Sequence, residues 1–250
     1  MTSVMLFLYY VVKREYSRAI LVSGIKSKER VAEHGEVFTP KWLVDAMLEL
    51  VDDEAQRIDS RFLEPACGNG NFLVEILQRK LATVEKKFGE NEFEKRNFSL
   101  LAIMSIYGVE LLEDNTSDCR ANLAGLFAKI LNLQDGDELL LAATYVLSQN
   151  IINGDALSMT LPPSGEEEAD ESDEDKTGPP ICFPEWAYLG KGKFQRRDFR
   201  YSKLENNSFV HEEGSLWDYE DSDLEIYAAE TVYEPMTIKE ISSLSSSGGA

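Results

Sequence analysis

Cysteine and histidine are scarce in this 250-residue chain, with three of the first and two of the second. Cys67, Cys119 and Cys182 are odd in number, and none is paired at the short spacing of a metal knuckle. Neither a disulfide framework nor a zinc module is indicated, and a reducing cytoplasm is the expected setting. Long apolar runs are also missing. The run Val4–Val12 is nine residues, too short to span a bilayer, and no small-residue cleavage site follows it, so no membrane partner is expected. No internal repeat is visible.

Positive charge is the third shortage. Lys and Arg number 25 against 45 Asp and Glu, a net charge of −20. The imbalance is local. Residues 165–176 hold eight acids and one base, and residues 205–250 hold eleven acids and one base; the rest of the chain is nearly neutral, at −3. Phosphate affinity comes from Lys and Arg, so such a chain is a poor non-specific DNA binder by itself. Acidic runs of this kind read as solvated segments.

What is present reads as alternating strands and helices. Thr39-Pro40 looks like a helix start, with Thr39 as cap and Pro40 in the first turn, followed by Trp42, Leu43, Ala46, Met47 and Leu50 at helical spacing. Arg61–Glu64 reads as a short strand, Asn71 to about Phe88 as a helix with Phe72, Leu73, Ile76 and Leu77 as its stripe, and Tyr107–Glu110 as a strand end. Phe93–Ile106 fits helix or strand. Asp114–Leu131 is helical with Leu123, Leu126, Phe127 and Ile130 in register, a further helix runs to Leu147, and Asn150–Asn153 is a third strand. This alternation predicts an α/β fold, a doubly wound Rossmann-like parallel sheet with helices on both faces. The expected organisation is an N-terminal extension (1–32), an α/β domain (33–160), an acidic linker or insertion (161–180), a basic and aromatic segment (181–204) and an acidic tail (205–250).

The chemistry-bearing residues sit at the predicted strand ends. Glu64-Pro65-Ala66-Cys67-Gly68-Asn69-Gly70 is a glycine-rich turn between strand and helix, which lets a ligand approach the backbone and meet the helix amides. A dinucleotide fingerprint places a third glycine where Leu73 stands, which disfavours a nicotinamide cofactor. Glu64 at the strand end suits a cationic ligand, such as a sulfonium cofactor carrying an amino group, better than a pyrophosphate. Glu110 ends the second strand, where an acid accepts hydrogen bonds from ribose hydroxyls. Asp155 ends the third and is placed to meet an adenine amino group.

These segments resemble the adenine-N6 DNA methyltransferases of restriction-modification systems, particularly the modification (M) subunits and Eco57I-like enzymes. Gly35-Glu36-Val37-Phe38-Thr39-Pro40 resembles the segment preceding the family's glycine loop. Phe62–Phe72 resembles the loop itself, Tyr107-Gly108-Val109-Glu110-Leu111 the ribose-binding acid, and Asn153-Gly154-Asp155-Ala156-Leu157 the adenine-binding acid. The resemblance covers residues 33 to 157 and implies an S-adenosylmethionine site. In it Phe38, Thr39 and Pro40 line the methionine end, Glu64, Pro65, Ala66, Cys67, Gly68, Gly70 and Phe72 wrap the amino-acid portion, Glu110 and Leu111 hold the ribose, and Asp155, Ala156 and Leu157 meet the adenine. No metal is implied.

The family's catalytic segment, Asn or Asp followed by Pro-Pro-Tyr or Pro-Pro-Phe, is not found. Leu161-Pro162-Pro163-Ser164 and Gly178-Pro179-Pro180-Ile181 have the prolines, but Leu161 and Gly178 offer no side-chain acceptor and Ser164 and Ile181 no ring to stack on a flipped base. The catalytic residues are therefore unknown. The expected function is a DNA adenine methyltransferase component whose second polypeptide supplies the catalytic motif and target recognition, with DNA met directly or through that partner. The alternatives are a non-catalytic cofactor-binding accessory or truncated remnant acting by protein contacts, and a methyltransferase acting on a small molecule or protein. The segment Phe183–Tyr201, rich in aromatics and bases, reads either as a DNA or partner contact or as a β-hairpin with solvated charges.

Overall fold

A computed structural model describes residues 26, 27, 29, 30, 33, 36, 38–163, 178–200 and 229–245. The apolar run Val4–Val12, the acidic run of residues 165–176 and, within the Gly35–Pro40 segment, Gly35 and Val37 lie outside them. The order of elements is α1 (Lys41–Glu49), α2 (Asp52–Gln56), β1 (Phe62–Glu64), α3 (Asn71–Phe88), α4 (Glu92–Met104), β2 (Ile106–Glu110), α5 (Glu113–Leu131), α6 (Glu138–Asn150), β3 (Ile151–Asn153), β4 (Cys182–Gly190), β5 (Lys193–Arg200), β6 (Thr231–Val232) and α7 (Ile238–Ser245).

Strands β1, β2 and β3 form a parallel sheet with β2 in the middle, paired as Leu63 with Tyr107 and Val109 with Ile152. All five residues of β2 are buried, as a parallel central strand requires. The strands follow one another across the sheet in chain order, so among the described residues the winding never reverses. The doubly wound expectation thus reduces, among the described residues, to a mixed α/β fold with three parallel strands in its main sheet and seven helices.

Each helix follows from local signals. Leu73, Ile76, Leu77, Leu81 and Val84 recur at helical spacing in α3 and are buried together. The stretch that fits helix or strand resolves as α4 because Asn91 accepts from the Glu94 amide at 3.2 Å and Glu92 and Glu94 fill the first turn. Asp137 caps α6 by accepting from the Leu139 amide at 2.8 Å.

Four expectations need correction. Helix α1 begins at Lys41 with Pro40 as its cap residue, and Thr39 makes no side-chain cap. Its buried face is Val44 and Leu48, one turn apart, while Trp42 and Leu50 are 60% and 64% exposed. The α5 face turns on Cys119, Leu123 and Phe127, with Ile130 partly exposed, and Asn150 ends α6 rather than opening β3.

The basic and aromatic segment is an antiparallel hairpin, β4–β5, but its key charge is not solvated. Arg196 is buried, pairs twice with Asp198, donates to the Tyr145 hydroxyl and stacks on Tyr233. Trp186 donates to Asn150 Oδ1 at 3.0 Å, and Asn150 Nδ2 donates to the Met104 and Ile106 carbonyls. One buried amide therefore joins hairpin, α4 and β2. Part of the acidic tail folds back as well: α7 opens with a Thr237–Glu240 capping box and buries Ile241 in the main core.

Lys80 lies fully buried in the apolar stripe of α3. Its ammonium donates to the carbonyls of Arg57 (2.7 Å), Ile58 (3.2 Å) and Ser60 (2.6 Å), which fixes the turn that feeds β1. Desolvation pushes its pKa down to about 7; the three acceptors oppose this, since only the ammonium offers three donors. Lys80→Met leaves those carbonyls without partners while keeping the bulk, and is expected to lower unfolding free energy by about 2 kcal/mol in urea titration.

Candidate functional site

The turn after β1 is shaped by two residues in the left-handed region, Gly68 (φ +54°) and Gly70 (φ +90°). Gly70 ends the turn as the cap residue of α3, so the first amides of that helix have no acceptor within it. Backbone bonds from Cys67 N to Val109 O (3.0 Å) and from Gly70 N to Cys67 O (2.8 Å) hold the turn against β2. Asn122 on α5 donates to Asn69 O at 2.9 Å and pins it from the other side.

Close packing explains the missing side chains. A Cβ on Gly70 would stand 2.7 Å from Cys119 Sγ, and one on Gly108 would stand 2.9 Å from Cys67 Sγ. Gly108 makes room for the Cys67 sulfur, a packing role whose signal in the sequence is a glycine in the middle of an otherwise bulky strand. Cys67 turns its sulfur inward. Hydrogen bonding with the Cys119 thiol, then burial, raise its pKa, so it is a packing thiol rather than a nucleophile.

The preceding segment reaches the turn. The Phe38 ring lies 3.3 Å from where a Gly68 Cβ would stand, and Asn71 Nδ2 donates to Thr39 O at 3.4 Å. Glu110 reaches it from β2: its carboxylate accepts from the Gly68 amide (2.8 Å), the Leu112 amide (3.0 Å) and, more weakly, Asn115 Nδ2 (3.4 Å). Strand register places Glu64 opposite Gly108, so Glu64 and Glu110 share one face of the sheet. Pro65 and Phe72 are half-buried beside the turn, and Ala66 is exposed.

Glu64 is walled by protein yet retains some solvent contact, and no cation pairs with it among the described residues. Desolvation raises its pKa to about 7, against a hydrogen bond from the Ala66 amide. A half-buried carboxylate without a counter-charge, beside a glycine turn and open helix amides, fits a ligand carrying a cation and a carboxylate.

The third acid stands differently. Gly154 N donates to Glu110 O at 2.9 Å, which sets β3 beside β2, but the Asp155 carboxylate accepts from the Leu157 amide at 2.7 Å and closes its own turn. That bond holds its pKa below the usual value. Ala156 packs on the opposite sheet face with Leu63, Tyr107 and Val109, Leu157 is 95% exposed, and Leu111 is 59% exposed. The structure brings Phe38, Thr39, the turn and Glu110 together and leaves Leu157 away from them. No cluster of metal-binding side chains occurs among the described residues.

The two double-proline segments pair with each other. Leu161 N donates to Pro179 O at 2.8 Å, Ile181 N to Met159 O at 2.8 Å, and Thr160 bridges Pro180. They form a stem, not an acceptor for a base.

Residues 25–133 match the family model of the N-6 DNA methylases. The matched stretch contains the turn, Glu64, Glu110 and the whole of α5, and ends before α6 and Asp155. No curated protein and no solved structure gives a significant match to the chain. The match makes this stretch similar to the N-6 DNA methylases, a family that normally uses S-adenosylmethionine. Among the described residues no helix is long and apolar enough to cross a membrane.

The packing predicts a contrast between two glycines. Gly70→Ala combines a positive φ with a clash on Cys119 and is expected to lower stability by about 2 kcal/mol. Gly125→Ala, inside α5 with nothing within 4 Å, is expected to raise it by up to about 1 kcal/mol. Thermal unfolding of both variants checks the signs.

Proposed function

We propose that the chain is the S-adenosylmethionine-binding component of a DNA adenine-N6 methyltransferase of the restriction-modification type, completed by a second polypeptide. The observation that carries this reading is the convergence of three distant segments: the Phe38 ring on Gly68, and the Gly68 amide on Glu110. When bound, the cofactor supplies a methyl group already activated on a sulfonium, so the protein's contribution is largely positioning. Glu64 takes the positive charge of the amino-acid portion. The unpaired amides of Asn71, Phe72 and Leu73 face its carboxylate. Glu110 keeps lone pairs beyond those used by Gly68 and Leu112 and accepts from the ribose hydroxyls. Phe38 packs against the methionine side. Asp155, Ala156 and Leu157 meet the adenine only after the Asp155 turn opens.

No described side chain is assigned the contact with the target base. The paired double-proline stem favours the division of labour, because neither segment has a side-chain acceptor before its prolines or an aromatic residue after them. It equally favours a second reading, a cofactor-binding accessory that acts through protein contacts. A methylation assay on DNA with the candidate partner chain added separates the two.

The pH dependence tests the site directly. Between the ordinary 4.5 and about 7 the folded chain keeps a proton on Glu64 that the unfolded chain has lost, so this residue's contribution to stability falls as pH rises through that window. A cationic ligand demands the ionised form. Calorimetric affinity for S-adenosylmethionine is therefore expected to rise about tenfold from pH 6 to pH 8. Glu64→Gln should bind more weakly and lose that pH dependence, and Glu110→Ala should abolish measurable binding at either pH. A folded wild type that binds nothing would sink the reading.

A further inference from the structure

Glu110 is not the only carboxylate at the turn. Glu36, buried to 9% exposure, stands behind it, and the two share one amide nitrogen. Asn115 Nδ2 donates to Glu36 Oε1 at 2.6 Å and to Glu110 Oε1 at 3.4 Å. Asn115 is itself 1% exposed, and its amide oxygen accepts from Lys26 Nζ at 2.7 Å. That cation fixes the amide orientation, since a flipped amide would aim its N–H groups at the ammonium and its oxygen at two acids.

The second acid is neutralised. Arg30 grips Glu36 with two bonds of 2.7 Å and reaches Asp114, at the start of α5, with bonds of 2.9 and 3.0 Å. The guanidinium holds the Glu36 carboxyl below its usual range. A buried carboxylate beside Glu110 would otherwise repel it.

Building on the cofactor reading, we propose that Asn115 is the positioning residue for Glu110, oriented by the Arg30–Glu36 ion pair and Lys26, so that Lys26, Arg30 and Glu36 set the affinity for the ribose without touching it. Two oxygens of Glu110 are fixed by Gly68, Leu112 and Asn115, which leaves the remaining lone pairs aimed at one place. Losing Asn115 frees the carboxylate to turn; losing Arg30 sets a second negative charge against it.

A double-mutant cycle on the full chain tests this. Calorimetry with S-adenosylhomocysteine, which carries the same ribose, is run on wild type, Asn115→Ala, Glu110→Gln and the double variant, with a melting temperature for each. Asn115→Ala is expected to weaken binding about tenfold, and by less than about twofold when Glu110 is already Gln, with the melting temperatures showing that each variant is folded. Equal affinity losses in both backgrounds would mean that Asn115 serves the fold alone; that result overturns the proposal and leaves the cofactor site standing. A folded wild type that does not bind overturns both. If Asn115→Ala does not fold, Arg30→Ala, whose side chain is 26% exposed, takes its place in the cycle with the same pattern of outcomes.

Discussion

The Gly68 amide donates to the Glu110 carboxylate across 42 residues of sequence, and the turn, the central strand and α5 take their relative positions around that bond. It forms only if the turn lies flat on β2. That in turn needs two missing side chains: Gly108, over which the Cys67 sulfur sits, and Gly70, which abuts Cys119. A hydrogen bond to a charged acceptor contributes on the order of 2 kcal/mol, so it does not hold the fold together. Its importance is geometric. A buried acid must find donors, and here the donors are the backbone of the segment that it has to organise.

Two buried polar groups divide the structural work at opposite ends of the sheet. At the carboxyl ends of the strands, Asn115 gathers Glu36, Glu110 and Lys26. At the amino ends, Lys80 gathers the three carbonyls that lead into β1. Between them Asn150 ties β2 and α4 to Trp186 of the hairpin. Each of these residues uses its full hydrogen-bonding capacity or nearly so, which is the condition for keeping a polar group in a core. Apolar packing alone would leave the short strands, two of them only three residues long, without a fixed register.

Much of this was legible in the chain. The helix over Asn71–Phe88 follows from the spacing of Leu73, Ile76 and Leu77, and the turn follows from Gly68 and Gly70 between strand and helix. What was not legible lies in long-range contacts. Trp42 and Val44 are both apolar, and only the position of the core decides that Val44 turns inward. Asp155 reads as a binding acid by its place after a strand, yet a local amide at 2.7 Å competes for it, which spacing does not reveal. The Arg196 charge reads as solvated in a hairpin, but Tyr145, 51 residues earlier, and Tyr233 close over it. Glu36 stands in a motif that gives it no role, because its partners Arg30 and Asn115 lie outside that motif, Asn115 being 79 residues away.

The remaining constraint is topological. In sheets of this class ligands lie where the strand order reverses, because there two neighbouring strand ends part and leave a crevice. Among the described residues strands β1, β2 and β3 are wound in one direction, and Glu64 and Glu110 share one face of their sheet. Neither double-proline segment carries a side-chain acceptor before its prolines or an aromatic residue after them, and the two segments are tied together. With 45 acids against 25 bases, the chain by itself offers little grip on DNA phosphates.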